Sequence, residues 1–202
     1  MFPSVHLPVR VVAACLGLAV ACCGLAACSQ ADAAAKKSGG SATTIAPPKG
    51  DPWPYITPKL HVDHPVDDVA KEACAVAEYF VNALPYDAVH LRTDTIDKYG
   101  DAACLYCEET AALVKDVRKN GGWIRDNRVL MLQPLDIYDL VDYDGYECDF
   151  HLVQDKGTYW RRGYKTVKTI ERDEATIGVD VINDHGSWKI LSLGAPYDSD
   201  GQ

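Results

Sequence analysis

The first part of the domain has apolar residues at helical spacing. In the segment PVDDVAKEACAVAEYFVNAL, residues 65–84, one helical face carries Val66, Val69, Ala70, Ala73, Ala77, Phe80, Val81 and Leu84. Acidic residues gather at its start, where the helix dipole favours anions. A short helix is predicted for residues 93–100, closed by Gly100, and a third from Ala103 to Asn120, ahead of a Gly-Gly stop.

Beyond Trp123 the pattern changes to that of β-strands. Residues 127–143 are apolar and β-branched, and Pro134 among them indicates a bulge or an edge strand. Asp144-Gly145 predicts a two-residue hairpin turn. The next strand alternates Tyr146, Cys148, Phe150 and Leu152 with outward-facing Glu147, Asp149 and His151. Further strands are predicted at 158–170, 175–183 and 187–193, the last after a turn at Asp184-His185-Gly186. Helices followed by an antiparallel meander indicate an α+β fold.

The N-terminus has the pattern of an export signal. Arg10 precedes an apolar run from Val11 to Ala27, and Leu25-Ala26-Ala27-Cys28 resembles the lipobox of bacterial lipoproteins. That resemblance implies that residues 1–27 are cleaved and that Cys28 receives a diacylglyceryl group. It would place the protein at the cell membrane, lipid-anchored on the extracellular face. An ordinary signal peptide and an uncleaved anchor are the alternatives.

Composition divides the rest of the chain. Residues 28–64 are rich in small residues, glycine and proline, which is typical of a disordered, solvated tether. Residues 65–194 are long enough for one α+β domain, and residues 195–202 form a loose polar tail. From Pro65 onward, 15 Lys and Arg stand against 26 Asp and Glu, a net charge of −11. Such an acidic domain is repelled by nucleic acid, so no nucleic-acid partner is expected.

Four cysteines follow Cys28: Cys74, Cys104, Cys107 and Cys148. An even number outside the cytosol suggests disulfides, and three connectivities are possible. Local geometry favours Cys104 with Cys107 and Cys74 with Cys148; the alternative is buried thiols. The motif CLYC could instead be a redox centre, although Asp101, Glu108 and Glu109 oppose thiolate formation there. A zinc site lacks two further ligands at recognisable spacing, so no metal or cofactor is expected.

Four short motifs occur in order: AEYFVNAL, CLYC, GGW and GSWKILSL. Their order resembles an actinobacterial lipoprotein family with a domain of unknown function. The family resemblance spans about Val66 to Leu193 and implies the cone-shaped α+β fold, cystatin-like in outline, shared with nuclear transport factor two and ketosteroid isomerase. It implies N-terminal helices packed across a curved antiparallel sheet, and it brings no activity.

Candidate ligand-binding residues cluster in the stretch TYWRRGYK: Tyr159, Trp160, Arg161, Arg162, Tyr164 and Lys165. Aromatic rings stack on sugars, and arginine matches phosphate or carboxylate, so this patch could bind a cell-wall glycopolymer or an envelope protein. An edge strand protected by charges is the alternative. Asp180 points either into a cone pocket or into solvent, and His151 and His185 are read as surface and turn residues. No catalytic residues can be selected.

The sequence therefore predicts a lipid-anchored binding or accessory protein of the bacterial cell envelope, reaching the membrane through its diacylglyceryl-cysteine. The ligand is left open. Two other functions are considered: an enzyme that uses the pocket of the cone, and a thiol-disulfide oxidoreductase acting through Cys104 and Cys107.

Overall fold

The structure, a computed structural model, describes residues 44–61 and 68–194. In this part of the chain the helices are α1 Val69–Val89, α2 Asp94–Tyr99 and α3 Leu105–Lys119. The strands are β1 Trp123–Arg125, β2 Val129–Asp139, β3 Gly145–Gln154, β4 Gly157–Trp160, β5 Lys168–Ile170, β6 Asp173–Asp184 and β7 Ser187–Gly194. The signal peptide, Cys28, Val66 and the tail 195–202 lie outside the described residues. Within those residues, no helix is long and apolar enough to span a bilayer.

A curled antiparallel sheet with the order β2-β3-β6-β7 forms the main layer, and a smaller sheet has the order β1-β4-β5. Helices packed on one face of a curled antiparallel sheet confirm the predicted α+β class. We call the face that α1 covers the inner face and the opposite one the outer face. The inner face contributes Cys148, Phe150, Val179, Val181 and Ile190 to the core, each of them fully buried. A second core joins the end of α1 to α3, β1 and β4.

Helix α1 begins and ends later than its pattern predicts, at Val69 and Val89. Its N-cap is Asp68, whose carboxylate accepts hydrogen bonds from the backbone N–H groups of Ala70 and Lys71. The helix continues through Pro85 to Val89, because Ala88 and Val89 are buried in the second core. That burial offsets the hydrogen bond which a proline cannot donate.

Of two turns predicted from the sequence, one is present in the structure and the other is not. His185 and Gly186 both have positive φ, of 52° and 86°, and connect β6 to β7 where a turn is predicted. The predicted two-residue turn at Asp144-Gly145 is wrong, because Gly145 begins β3 and pairs with Ile182. A Cβ at Gly145 would overlap the carbonyl oxygen of Val181, so this glycine serves close strand approach.

Pro134 lies in an edge strand, at a position where the strand pairing is irregular. Strand β2 is an edge of the main sheet, and its pairing with β3 shifts register on both sides of Pro134. A proline cannot donate to a neighbouring strand, so the prediction of a bulge or an edge is confirmed on both counts.

The four cysteines of the described residues form two disulfides, in the predicted pairing: Cys74 with Cys148, and Cys104 with Cys107. The first joins α1 to β3 across the core, 74 positions apart in the sequence. The second closes a loop at the start of α3, where the sulfur of Cys104 also accepts a hydrogen bond from the N–H of Cys107 at 3.2 Å. Each sulfur is buried.

The two disulfides should contribute unequally to stability. In the loop-entropy treatment, replacing Cys74 and Cys148 by alanine lowers the free energy of unfolding by about 4.5 kcal/mol, and replacing Cys104 and Cys107 lowers it by about 2 kcal/mol. Urea unfolding of the two double variants beside the wild type measures the difference. Equal losses would contradict the loop-length explanation.

Candidate functional site

A proline-rich segment, residues 44–61, packs against the domain; we call it the strap. The indole N–H of Trp123 donates a hydrogen bond to the carbonyl oxygen of Ile45 at 2.9 Å. The guanidinium of Arg125 donates to the carbonyl oxygens of Pro48 and Gly50 at 3.3 and 3.4 Å. Composition places these residues in a solvated tether, and for the strap that expectation is wrong.

Trp53 attaches the middle of the strap to the second core. It is only 6% exposed and packs with Ala88 and Val89. Its ring meets Tyr55 and Tyr86 edge-on, at centroid distances of 5.3 and 5.6 Å. A single large aromatic side chain thus holds in place a segment whose other residues are mostly small, polar or proline.

The strap forms one wall of an open groove of about 610 Å³, which we call the strap groove. The opposite wall is α1, and the floor is the stretch 128–131 at the start of β2. The lining side chains combine aromatic, proline and polar groups, among them Trp53, Tyr55, Pro58, Lys59, His61, Glu78, Tyr79, Asn82 and Arg128.

Glu78 and Asn82 supply polar groups one helical turn apart on α1. Partial burial raises the pKa of the Glu78 carboxyl, and that carboxyl has no hydrogen-bond or ion-pair partner among residues 44–61 and 68–194. The Asn82 side-chain oxygen accepts a hydrogen bond from the N–H of Met131 at 3.1 Å, which orients the amide. An acceptor and an amide donor are therefore adjacent on one wall of the strap groove.

Arg128 is already neutralised at the end of the groove. Its guanidinium makes two contacts with Asp155 Oδ2, at 2.9 Å from Nε and 2.8 Å from Nη2. The same guanidinium lies 4.5 Å from the ring centroid of Tyr55. Arg128 thus fixes the Tyr55 ring as part of the wall.

The aromatic residues at the start of the TYWRRGYK stretch are buried inside the domain. Strand β4 is the central strand of the small sheet, not an edge, and Trp160 is 1% exposed. Its indole N–H donates to the carbonyl oxygen of Tyr164 at 3.1 Å. Tyr159 is buried too, so these two rings cannot stack on a sugar as the sequence suggests, and the edge-strand alternative is also wrong.

The three basic residues of that stretch differ in their contacts and exposure. Arg161 Nε lies 2.8 Å from Asp116 Oδ2, but its N–H is not aligned with the carboxylate, so the contact is an ion pair rather than a hydrogen bond. The guanidinium also lies 4.4 Å from the Tyr164 ring centroid. Arg162 and Lys165 are exposed. Tyr164 is half-buried, and its ring already contacts the cations of Arg161 and Lys168. The two exposed cations and this occupied ring do not make the predicted ligand patch.

The Cys104–Cys107 disulfide is a local bond at the start of α3, beside a junction that contacts the sheet. The junction just before it is bonded to β7, because Gly100 bridges Ile190 and the N–H of Asp101 donates to the Ile190 carbonyl oxygen at 2.9 Å. The buried sulfurs are poorly placed for thiol exchange. Across the described ranges, no group of three or more His, Cys, Asp or Glu side chains could hold a metal ion.

Other singled-out polar residues are dispersed. Asp180 Oδ2 accepts a hydrogen bond from the Ser192 hydroxyl at 2.6 Å on the outer face. His151 Nε2 lies 3.0 Å from Glu174 Oε1, and His185 is an exposed turn residue. The structure does not bring these three groups together in the strap groove. The residues that line the strap groove are not identified from the sequence. The sequence feature that could have indicated them is the spacing of Glu78 and Asn82, which places both on one face of the helix.

Comparison with known proteins gives little. No family model matches the chain, and no curated protein does. Among solved structures, it is similar to the crystal structure of the intermembrane space region of chloroplast protein ARC6, at 13% sequence identity and a TM-score of 0.44. The similarity covers 63% of this chain and 95% of that one.

Trp53→Ala should release the strap. Losing a buried tryptophan typically lowers the free energy of unfolding by about 3–5 kcal/mol, and here it also removes the central attachment of this segment. Urea unfolding measures the first effect, and trypsin cleavage after Lys49 and Lys59 measures the second. Ile56→Ala is the matched control, since Ile56 is 92% exposed in the same segment. Equal protease resistance in Trp53→Ala and wild type would contradict this role.

Proposed function

We propose that the protein is a lipid-anchored extracytoplasmic binding or accessory protein of the bacterial cell envelope. The observation that carries this proposal is Leu25-Ala26-Ala27-Cys28, placed directly after an apolar run that begins behind Arg10. A diacylglyceryl group on Cys28 anchors far better than one chain would, because each buried methylene contributes about 0.8 kcal/mol. The actinobacterial family resemblance fits this assignment and remains a prediction.

The two disulfides support an oxidising compartment. Structural disulfides persist in exported proteins and are rare in the cytosol. Both pairs are buried; Cys74–Cys148 joins α1 to β3, and Cys104–Cys107 closes the loop at the start of α3. Such buried bonds would persist in an oxidising compartment.

The strap groove is the proposed ligand site, in place of the TYWRRGYK stretch. Its aromatic and proline walls offer apolar contact, while Glu78 and Asn82 offer an acceptor and a donor side by side. Hydroxyl and acetamido groups of sugars need this combination of contacts. A cell-wall glycopolymer is therefore the ligand class that we propose for the strap groove.

The two alternative functions have less support. An enzyme would need an open cone interior, yet the inner face is filled by apolar side chains of the core. A thiol oxidoreductase would need accessible sulfur, and Cys104 and Cys107 are buried. A binding protein requires neither.

Metabolic labelling with an alkyne palmitate analogue tests the anchor. Wild type should be labelled and found in the membrane fraction, and Cys28→Ala should lose the label because no acceptor sulfur remains at the cleavage point. The double variant Cys22→Ala/Cys23→Ala, in which the lipobox cysteine is intact, is the control and should stay labelled. Label retained by Cys28→Ala would exclude lipidation at this residue.

Titration of the full chain with soluble muropeptides tests the groove. Glu78→Ala should weaken binding about tenfold or more, because a hydrogen bond to a charged group contributes roughly 1.5–3 kcal/mol. Glu109→Ala removes the same charge from an exposed position on α3 and should leave the affinity unchanged. Isothermal titration calorimetry gives both values. Identical affinities for wild type and Glu78→Ala would place the ligand elsewhere, whatever the labelling experiment shows.

A further inference from the structure

The outer face of the main sheet carries carboxylates in two neighbouring rows. In one row the strand register sets Tyr138, Glu147, Asp180 and Ser192 side by side across β2, β3, β6 and β7. In the next row, it sets Asp136, Asp149, Gly178 and Gly194 side by side. Four acidic side chains thus occupy adjacent positions, and the two glycines of the second row add no side chain beside Asp149.

Asp149 is a buried carboxyl group with an unpaired oxygen. The residue is 7% exposed, and its Oδ1 is buried with no hydrogen-bond partner. Burial raises the pKa of this carboxyl, and the neighbouring charges of Asp136 and Asp180 raise it further. An unpaired buried carboxylate is costly for a fold to retain, so its position at the centre of an acidic face calls for a cationic partner.

Two basic residues on strands of the main sheet are already engaged. His151 lies against Glu174, and the Lys189 ammonium donates to the Lys98 carbonyl oxygen at 2.6 Å. The buried Oδ1 of Asp149 has no hydrogen-bond partner among the described residues. A cationic group of a partner would supply one.

The spacing of the carboxylates selects the kind of cation. In the described residues, no three acidic or histidine side chains converge closely enough to hold a metal ion. Carboxylates spread over adjacent strands suit a guanidinium or an ammonium group, which accepts separate contacts from several oxygens. Tyr138, which is 42% exposed in the first row, adds an aromatic ring on which a cation can rest.

We propose that the outer face around Asp136, Asp149 and Asp180 is a docking surface for an arginine- or lysine-rich segment of a partner protein. Strand β2 and the loop that joins it to β3 also carry exposed apolar side chains, Leu135, Val141 and Tyr143, which would give such a segment apolar contact. This surface is separate from the strap groove and does not depend on the lipid anchor.

Fluorescence anisotropy of the full chain with a labelled hexa-arginine peptide tests the surface. The double variant Asp136→Asn/Asp149→Asn should weaken binding at least tenfold. The double variant Glu108→Gln/Glu109→Gln removes the same charge from α3 and should change it less than twofold. Equal losses in the two variants would show that the peptide senses only net charge, and would overturn the proposal.

Three further measurements test the same proposal independently. Carbodiimide coupling to a hexa-lysine peptide, followed by peptide mapping, should link the peptide to outer-face carboxyls; coupling at Glu108 and Glu109 to the same extent would refute a defined surface. Calcium at millimolar concentration should not displace the hexa-arginine peptide; stoichiometric displacement would instead identify a metal site.

Asp149→Asn should melt no lower than wild type at pH 7, because the raised pKa means that ionised Asp149 destabilises the fold there. A lower melting temperature would mean that its carboxylate is already satisfied, which contradicts the proposal.

Discussion

The contact between α1 and the inner face of the main sheet is the constraint on which the rest of the structure depends. Cys74 and Cys148 join the two layers covalently at the centre of a core that includes Phe80, Phe150 and Val179. Within the described residues, apolar side chains fill this interface. The two candidate surfaces lie away from it: the strap groove between the strap and α1, and the acidic rows on the outer face.

Periodicity alone predicts most of the elements in this fold. Alternation along β3 and helical spacing along α1 are strong signals, because one face of each element must be apolar. The failures have local causes. The helical pattern ends at Leu84, but the helix continues through Pro85, because burial of the following turn outweighs the missing hydrogen bond. Gly145 suggests a turn, but it is required for close approach to Val181.

The candidate sites are harder to predict, because they depend on contacts between distant parts of the sequence. Trp53 lies in a stretch whose composition indicates disorder, and only the folded domain provides the pocket that buries it. Trp160 has basic neighbours that suggest a surface, although the small sheet encloses it. The alternation along β3 predicts that Asp149 lies on the outer face. It does not predict that Oδ1 of Asp149 lacks a hydrogen-bond partner, because that depends on which residues of β2 and β6 lie beside it.

The strap has a mechanical consequence. A pull on the chain ahead of residue 44 is borne first by the bonds from Trp123 and Arg125 to the strap, and then by the buried ring of Trp53. Only after these attachments yield would tension reach the start of α1. Because the strap is also a wall of the groove, force along the chain would widen the groove before it unfolds the domain.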